Sequence, residues 1–328
     1  MQFDPSQLSM TQIIRLQTLL SQELTRRFEA SAGLAFSDIA GSTEYFSRFG
    51  DEAGRQMQQL HIDLLAACVP AHGGRIVDTA GDGAFSAFPT AMAVAEAMAD
   101  LQHRVTEANE HRQRDHQLIV RIGAHWGRVL TDGVQVTGDA VNFCARVAGS
   151  AEPGQIRLSR ELFQELPMAQ RLVCRPLGAV TLKGVQRPAD LLLLQWRDHA
   201  RFPTAVHILE TGQKLPLPPQ DIVSFGRLEL VEGMSAIDVV LALNDSAATR
   251  QISRWHFELR RHPSGYTLRA VSTQATVVDG VRAVQGEDVP IRPGTTVMLA
   301  GVMTLLFYSP ELAAPGHADD TMHVSHLP

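Results

Sequence analysis

The apolar positions of this chain change period twice. Over residues 10–29, MTQIIRLQTLLSQELTRRFE, the side chains Ile13, Leu16, Leu20, Leu24 and Phe28 fall on one stripe at helical spacing. Such a stripe suits either a helix packed on its own domain or one strand of a two-stranded dimer helix. From about 33 to 197, strand and helix patterns alternate. GLAFSDI reads as a buried strand, and TEYFSRFGDEAGRQMQQLHIDLLAAC as a long helix blemished at Gly54. RIVDTAGDGAFSAF, residues 75–88, reads as a hairpin, two β-branched and aromatic runs around Gly-Asp-Gly. TAMAVAEAMADLQHRVTEAN is a second helix, LIVRIGAHWGRVL a strand and DAVNFCARVAG a short helix, with late strands near VTLKGV and DLLLLQW. The order β-α-β-β-α-β predicts an α/β, ferredoxin-like α+β core with helices on one face.

Near residue 200 the pattern shortens. TAVHIL, DIVSFG, IDVVLAL, HFELRRH, YTLRAV, VPI, TTVMLAG and TLLFYS are short runs punctuated by turns, the spacing of an all-β sandwich. The chain is therefore expected to divide into an N-terminal helix (1–32), an α+β domain (33–197), a linker (198–203), a sandwich (204–310) and a flexible polar tail (311–328).

A length of 328 residues allows two ordinary domains, and 45% hydrophobic against 20% charged residues is enough to bury a core. A net charge of −6 argues against a nucleic-acid partner, which needs a basic surface. Cys68, Cys144 and Cys174 lack metal-ligand spacing and read as reduced core thiols. The opening MQFDPSQ lacks the basic-then-apolar order of a signal peptide, and no apolar run reaches membrane-spanning length. A cytoplasmic protein with no membrane partner is expected.

FSDIAGST, residues 36–43, places Asp38 at the end of an apolar strand and then a small-residue loop entering a helix. Backbone N–H groups around Gly41, Ser42 and Thr43 can approach a phosphate there, and the helix start adds partial positive charge. The same residues could equally be a simple helix cap. Asp82 alone could be a turn residue. Together with Asp38 on a neighbouring strand, it could bind two Mg²⁺ (or Mn²⁺) ions that clamp a triphosphate. In VNFCAR, Asn142 and Arg146 are i and i+4 on one helix face, either a solvated face or an amide and guanidinium converging on a pentavalent phosphorus.

These segments, FSDIAGST, TAGDGAFSAF, GDAVNFCAR and LKGV, stand in the order found in class III nucleotidyl cyclases, and the resemblance covers residues 33–197. It implies a homodimer with two interfacial sites. Asp38, Ile39 and Asp82 of one chain would hold the metals, and the other chain would supply Asn142 and Arg146. The ribose 3′-oxygen of GTP or ATP attacks the α-phosphorus and pyrophosphate leaves. Lys183 matches a triphosphate-contacting lysine, and it is one of only two lysines among 29 basic residues. Diguanylate cyclases share the core, but no GG(D/E)EF signature is present. Asp78 falls where relatives place lysine for adenine or glutamate for guanine. Its partner position is Gln135, with Thr137 as the alternative in register. The pair departs from both standard sets; hydrogen-bond polarity slightly favours guanine, with adenine, or a catalytically dead scaffold, as the alternatives.

In the β-rich half, FGR, SRWH and STQATVVDG resemble the forkhead-associated domain, which binds phosphothreonine. The matching positions are Arg227, Ser253, Arg254 and Thr273, with His256 as an internal brace. Gln274 and Ala275 stand where that family has Asn-Gly. The ligand would be a phosphothreonine-containing protein or the chain's own tail at Thr321; a sandwich kept only for packing is the alternative.

Overall fold

The computed structural model describes residues 8–309 apart from 199–200, 219, 229, 232–233, 236 and 263. These residues form two compact units, the first running to Trp196 and including Gln220 and Asp221, the second comprising the rest from Arg197 on.

The first unit opens with α1 (Met10–Phe28), started by a capping box in which Ser9 and Gln12 satisfy each other's backbone N–H. No residue of α1 is buried, and Ile13, Leu20 and Leu24 are about half exposed. Leu16 and Phe28 of the stripe are half-buried, so among the described residues most of the stripe lies open, which leaves room for the two-stranded alternative. β1 (Glu29–Ile39) follows at once, beginning ahead of the expected strand.

Next come α2 (Ser42–Ala71), β2 (Arg75–Ala80), β3 (Gly83–Phe88), α3 (Ala91–Asn109), β4 (Val120–Thr131), β5 (Val136–Thr137) and α4 (Asp139–Ser150). The unit closes with β6 (Ile156–Ser159), α5 (Arg160–Glu165), α6 (Met168–Arg171), β7 (Cys174–Val180) and β8 (Ala189–Leu194). The sheet runs β2-β3-β1-β4-β6-β8-β7, with β5 attached to β4. β1 is central, antiparallel to β3 and β4, and its register sets Asp38 opposite Gly83 on one side and Arg121 on the other.

Strand alternation sends Ala35, Ile122 and Ala124 to one face, where Leu65, Cys68, Val94, Met98 and Leu101 of α2 and α3 cover them. Leu34, Phe85 and Val129 go to the opposite face and meet Cys144 of α4. Helices thus cover both faces, not one as expected. The long helix carries a break at Gly50, φ +83, while the expected blemish, Gly54, stays helical and leaves room for the Phe46 ring, 2.3 Å from where its β-carbon would stand. The late strand expected near VTLKGV is β7, which ends at Val180, and residues 181–185 form the loop after it.

In the second unit one sheet runs Lys214–Pro216, Ala205–Ile208, Met303–Tyr308, Thr296–Leu299, Thr276–Val278 and Val281–Arg282. The other runs Val239–Val240, Ile222–Gly226, Phe257–His262, Gly265–Ala270 and Asp288–Ile291. Their inner faces share Phe225, Phe257, Leu259, Leu268, Val297, Leu305 and Phe307, the core of a sandwich. A short helix, Ser246–Gln251, was not anticipated. The tail and Thr321 lie outside the described residues.

All three cysteines are free, and burial pushes the thiols of Cys68 and Cys174 up to about 12 and about 11. Among the described residues no helix is long and apolar enough to cross a membrane.

Candidate active site and phosphate-reading loops

β2 and β3 close into a two-residue turn, Gly81–Asp82, between the paired residues Ala80 and Gly83. Gly81 takes φ +62 and Asp82 does not take a positive φ, the pattern of a turn that reserves its first position for glycine. Since Gly83 pairs with Asp38, this turn carries Asp82 to the end of β1. Burial pushes the Asp38 carboxyl above the usual carboxylate range; a hydrogen bond from Arg121 opposes the rise and the nearby Asp82 carboxyl adds to it. Arg121 Nε donates to Asp38 Oδ2 at 2.8 Å and Nη2 reaches the same oxygen. Oδ1 is left on the side of Gly83, 3.8 Å from where a β-carbon on that glycine would stand.

Two carboxylates pressed together at partial burial fit a hard divalent cation, which takes oxygen ligands and would relieve their repulsion. Ile39 presents only its backbone, since its side chain is buried in the core. Among the described residues no third His, Cys, Asp or Glu joins the pair, so a cation held there would take its remaining oxygen ligands from outside these side chains.

Gly41 caps α2 at φ +72 and offers no side-chain oxygen. The first-turn N–H groups at Ser42 and Thr43 are thus left without a side-chain cap, open to an anion.

A cavity of about 250 Å³ lies beside Asp38 and Asp78, walled by Phe36, Phe85 and, from α4, Ala145, Ala148 and Gly149. Phe36 and Phe85 stack with centroids 4.6 Å apart. Asn142 and Arg146 are exposed and do not line this cavity. Arg146 instead donates through Nη1 to the Lys183 carbonyl, so α4 and the 181–185 loop bring Arg146 and Lys183 together. Gly184 permits this approach: at φ +74, a β-carbon there would stand 2.2 Å from Arg146 Nη1.

Asp78 and Gln135, the base-selecting candidates, fall in different local settings. A β-bulge at Val77 breaks the alternation of β2, and one Asp78 oxygen accepts from Thr79 N–H at 2.9 Å. Gln135 is not on β5 but in the exposed turn before it, and it does not line the cavity. Its N–H donates to Asp132 Oδ1 at 2.8 Å and its carbonyl accepts from Thr131 Oγ1 at 2.6 Å. Of Gln135 and its alternative in register, Thr137, only Thr137 is in the strand. Arg75, at the start of β2, ties this turn down through the Val134 carbonyl.

In the sandwich, the loops after Gly226, before Phe257 and after Ala270 are bound to one another. Arg227 N–H donates to the Ser253 carbonyl, and the N–H groups of Val271 and Ser272 donate to the His256 carbonyl. His256 is buried and its Nδ1 accepts from Ser253 N–H at 3.2 Å. Arg227 is half-buried, and its Nε is buried with no hydrogen-bond partner among the described residues. Arg254 and Thr273 are exposed. The hydroxyl tied to Ser253 is Ser272, not Thr273, which sequence reasoning missed.

The first unit is thus an α+β core with an acidic pair at the end of its central strand. The adenylate and guanylate cyclase catalytic domain matches residues 26–195, over half of the chain, and the chain belongs to that family. The FHA domain matches residues 223–300. Among curated relatives, adenylate cyclase 2 of Rhizobium meliloti is 30% identical over 201 residues, covering 52% of this chain and 54% of the relative. Adenylate cyclase of Lachancea kluyveri is 30% identical over 158 residues, covering 41% of this chain and 8% of the relative. This chain therefore spans about half of one and under a tenth of the other. A solved adenylate/guanylate cyclase/hydrolase from Silicibacter pomeroyi is 26% identical, with TM-score 0.45, covering 51% of this chain and 96% of that one.

Proposed function

We propose that the chain is a Mg²⁺- or Mn²⁺-dependent nucleotide cyclase working as a homodimer, its FHA domain reading phosphothreonine. The observation that carries this reading is the meeting of Asp38 and Asp82 where the β2–β3 turn reaches the end of β1. Bound there, divalent ions would supply positive charge to the reacting oxygens and the triphosphate. The 3′-oxygen forms a bond to the α-phosphorus, its proton passes to water, and the bond to the β-phosphate oxygen breaks, releasing pyrophosphate. Arg146 and Asn142 meet the charge that grows on the α-phosphoryl oxygens. Lys183 and the N–H groups of Gly41, Ser42 and Thr43 hold the rest of the triphosphate. That Asn142 and Arg146 do not line the cavity beside Asp38 supports a partner chain as their source. The mostly open stripe of α1 suits a helix paired across the same dimer.

For the base, an ionised Asp78 accepts and cannot donate, which suits the N1–H and N2–H₂ of guanine and opposes the N1 lone pair of adenine. Asp78 is exposed in one protomer, so the mismatch reaches its full cost, roughly 1–3 kcal/mol or about ten- to a hundredfold in discrimination, where the bound base shuts out water. GTP is thus favoured as substrate. A second reading, ATP to cyclic AMP, draws on the relatives named adenylate cyclase. Purified protein assayed with each nucleotide separates them. Asp78→Lys is expected to move the kcat/KM ratio toward ATP; wild type turning over ATP tenfold better than GTP would remove the guanine reading.

For the FHA domain, Arg227→Ala is expected to weaken binding of a phosphothreonine peptide by about tenfold or more, because a charge-assisted bond to the phosphate is lost. Calorimetry with phosphorylated and unphosphorylated peptides reads the effect, and unchanged affinity would reassign the loop.

A further inference from the structure

A buried histidine stands against the turn that carries Asp82. His61 lies on α2 between Met57 and Leu65 in the packed face of the helix, with no exposed surface. Its Nδ1 is 3.2 Å from the Asp82 carbonyl oxygen. A carbonyl only accepts, so Nδ1 carries the proton. Burial pushes the ring down to about 4, which keeps it neutral near pH 7. Nε2 is then a bare acceptor, and it is buried with no hydrogen-bond partner among the described residues.

Packing alone does not account for an imidazole here. An aliphatic side chain would fill the same layer, among Met57 and Leu65, without burying an orphaned nitrogen. The turn, on its side, has few other ties. The last ladder pair is Ala80 with Gly83, so the Asp82 carbonyl has no strand partner, and Gly81 has nothing within 4 Å of its β-carbon position. A two-residue turn with a free glycine can rotate its peptide plane unless something holds a carbonyl.

We propose that His61 is a positioning residue for the metal site: the bond it donates to the Asp82 carbonyl fixes the turn, and with it the direction from which the Asp82 carboxylate faces Asp38. The inference rests on the cyclase reading for its metal. His61 touches neither nucleotide nor ion; it acts through the Asp82 backbone, as supports behind metal ligands commonly do.

Two substitutions separate the donor from the bulk. His61→Asn keeps an N–H close to the Nδ1 position, whereas His61→Gln keeps the size but places its N–H near Nε2. Binding of Mn²⁺, in the presence of the unreactive 3′-deoxy analogues of GTP and ATP, is read on the full chain by electron paramagnetic resonance. His61→Gln is expected to weaken Mn²⁺ binding by about tenfold or more, while His61→Asn stays within about twofold of wild type. Melting temperatures report whether both proteins are folded. Folded His61→Gln protein with wild-type Mn²⁺ affinity overturns the inference, and so does His61→Asn protein as weak as His61→Gln. Wild type that binds no Mn²⁺ overturns the metal site and this inference together. Wild type that binds Mn²⁺ yet makes no cyclic nucleotide overturns the cyclase reading alone.

Discussion

Asp38→Ala and Arg146→Ala proteins, each nearly inactive alone, are expected to recover activity when mixed. Asp38 lies beside the Asp82 turn, and Arg146 lies on the exposed face of α4, tied to the Lys183 loop. If each site takes its carboxylates from one chain and its guanidinium from the other, either substitution breaks both sites of a homodimer. Losing the transition-state charge partner costs on the order of a hundredfold or more. In a mixed dimer one site collects both lesions and the other collects neither. Random exchange of equal amounts makes about half of the dimers mixed, each with one good site in two, so about a quarter of wild-type activity should return. The assay is cyclic nucleotide formation after denaturation-free subunit exchange, with heterodimers counted by differential tagging. Mixed dimers without activity would place all the machinery in one chain.

Gly123→Ala is expected to damage both the fold and the reaction. Gly123 lies on β4 directly under α4, and a β-carbon there would stand 2.0 Å from the Ala148 nitrogen and 2.4 Å from its Cα. Backbone cannot step aside as the end of a long side chain can, so the helix itself must move. Overpacking of this kind costs about 3 kcal/mol, a fall in melting temperature of roughly 6–12 °C for a domain of this size. Cys144, which donates through Sγ to the carbonyls of Leu34 and Gly123, loses its seat as α4 lifts. Since Asn142 and Arg146 ride on that helix, activity should fall even at temperatures where the protein is folded. Calorimetry and the same assay check the two effects separately, and an unchanged melting temperature would mean that α4 does not rest on β4.

The hairpin at residues 75–88 was legible because its two apolar runs and its glycines bracket one aspartate. Its bulge was not, because an extra residue at Val77 leaves no mark on composition and only shifts the pairing of Ile76 and Asp78. The helix break at Gly50 was not legible, and the reason for glycine at 54 is tertiary: the Phe46 ring occupies the place of its β-carbon. Gln135 was misplaced for a related reason, since two residues of β5 are too short a run to separate strand from turn. Arg121 and His61 were overlooked although each had a signal. Arg121 is the charged residue in the otherwise apolar IVRIGAHW, and the register of β1 with β4 sets it opposite Asp38. His61 continues the spacing of Met57 and Leu65 on the buried face of α2, a polar intruder whose partner, the Asp82 carbonyl, no sequence pattern announces. That Asn142 and Arg146 do not line the cavity beside Asp38 is likewise a matter of which face α4 presents.

The central claim is that this acidic pair and the α4 guanidinium carry out cyclisation. The most direct measurement is product formation from α-labelled GTP and ATP by purified full-length protein with Mg²⁺ or Mn²⁺, with cyclic nucleotide and pyrophosphate quantified together. The account predicts the two products in equal amounts, stopped by EDTA and lost in Asp38→Ala protein. Folded wild-type protein that binds the metal and the nucleotide but yields no cyclic product, or releases diphosphate and inorganic phosphate instead, would contradict it.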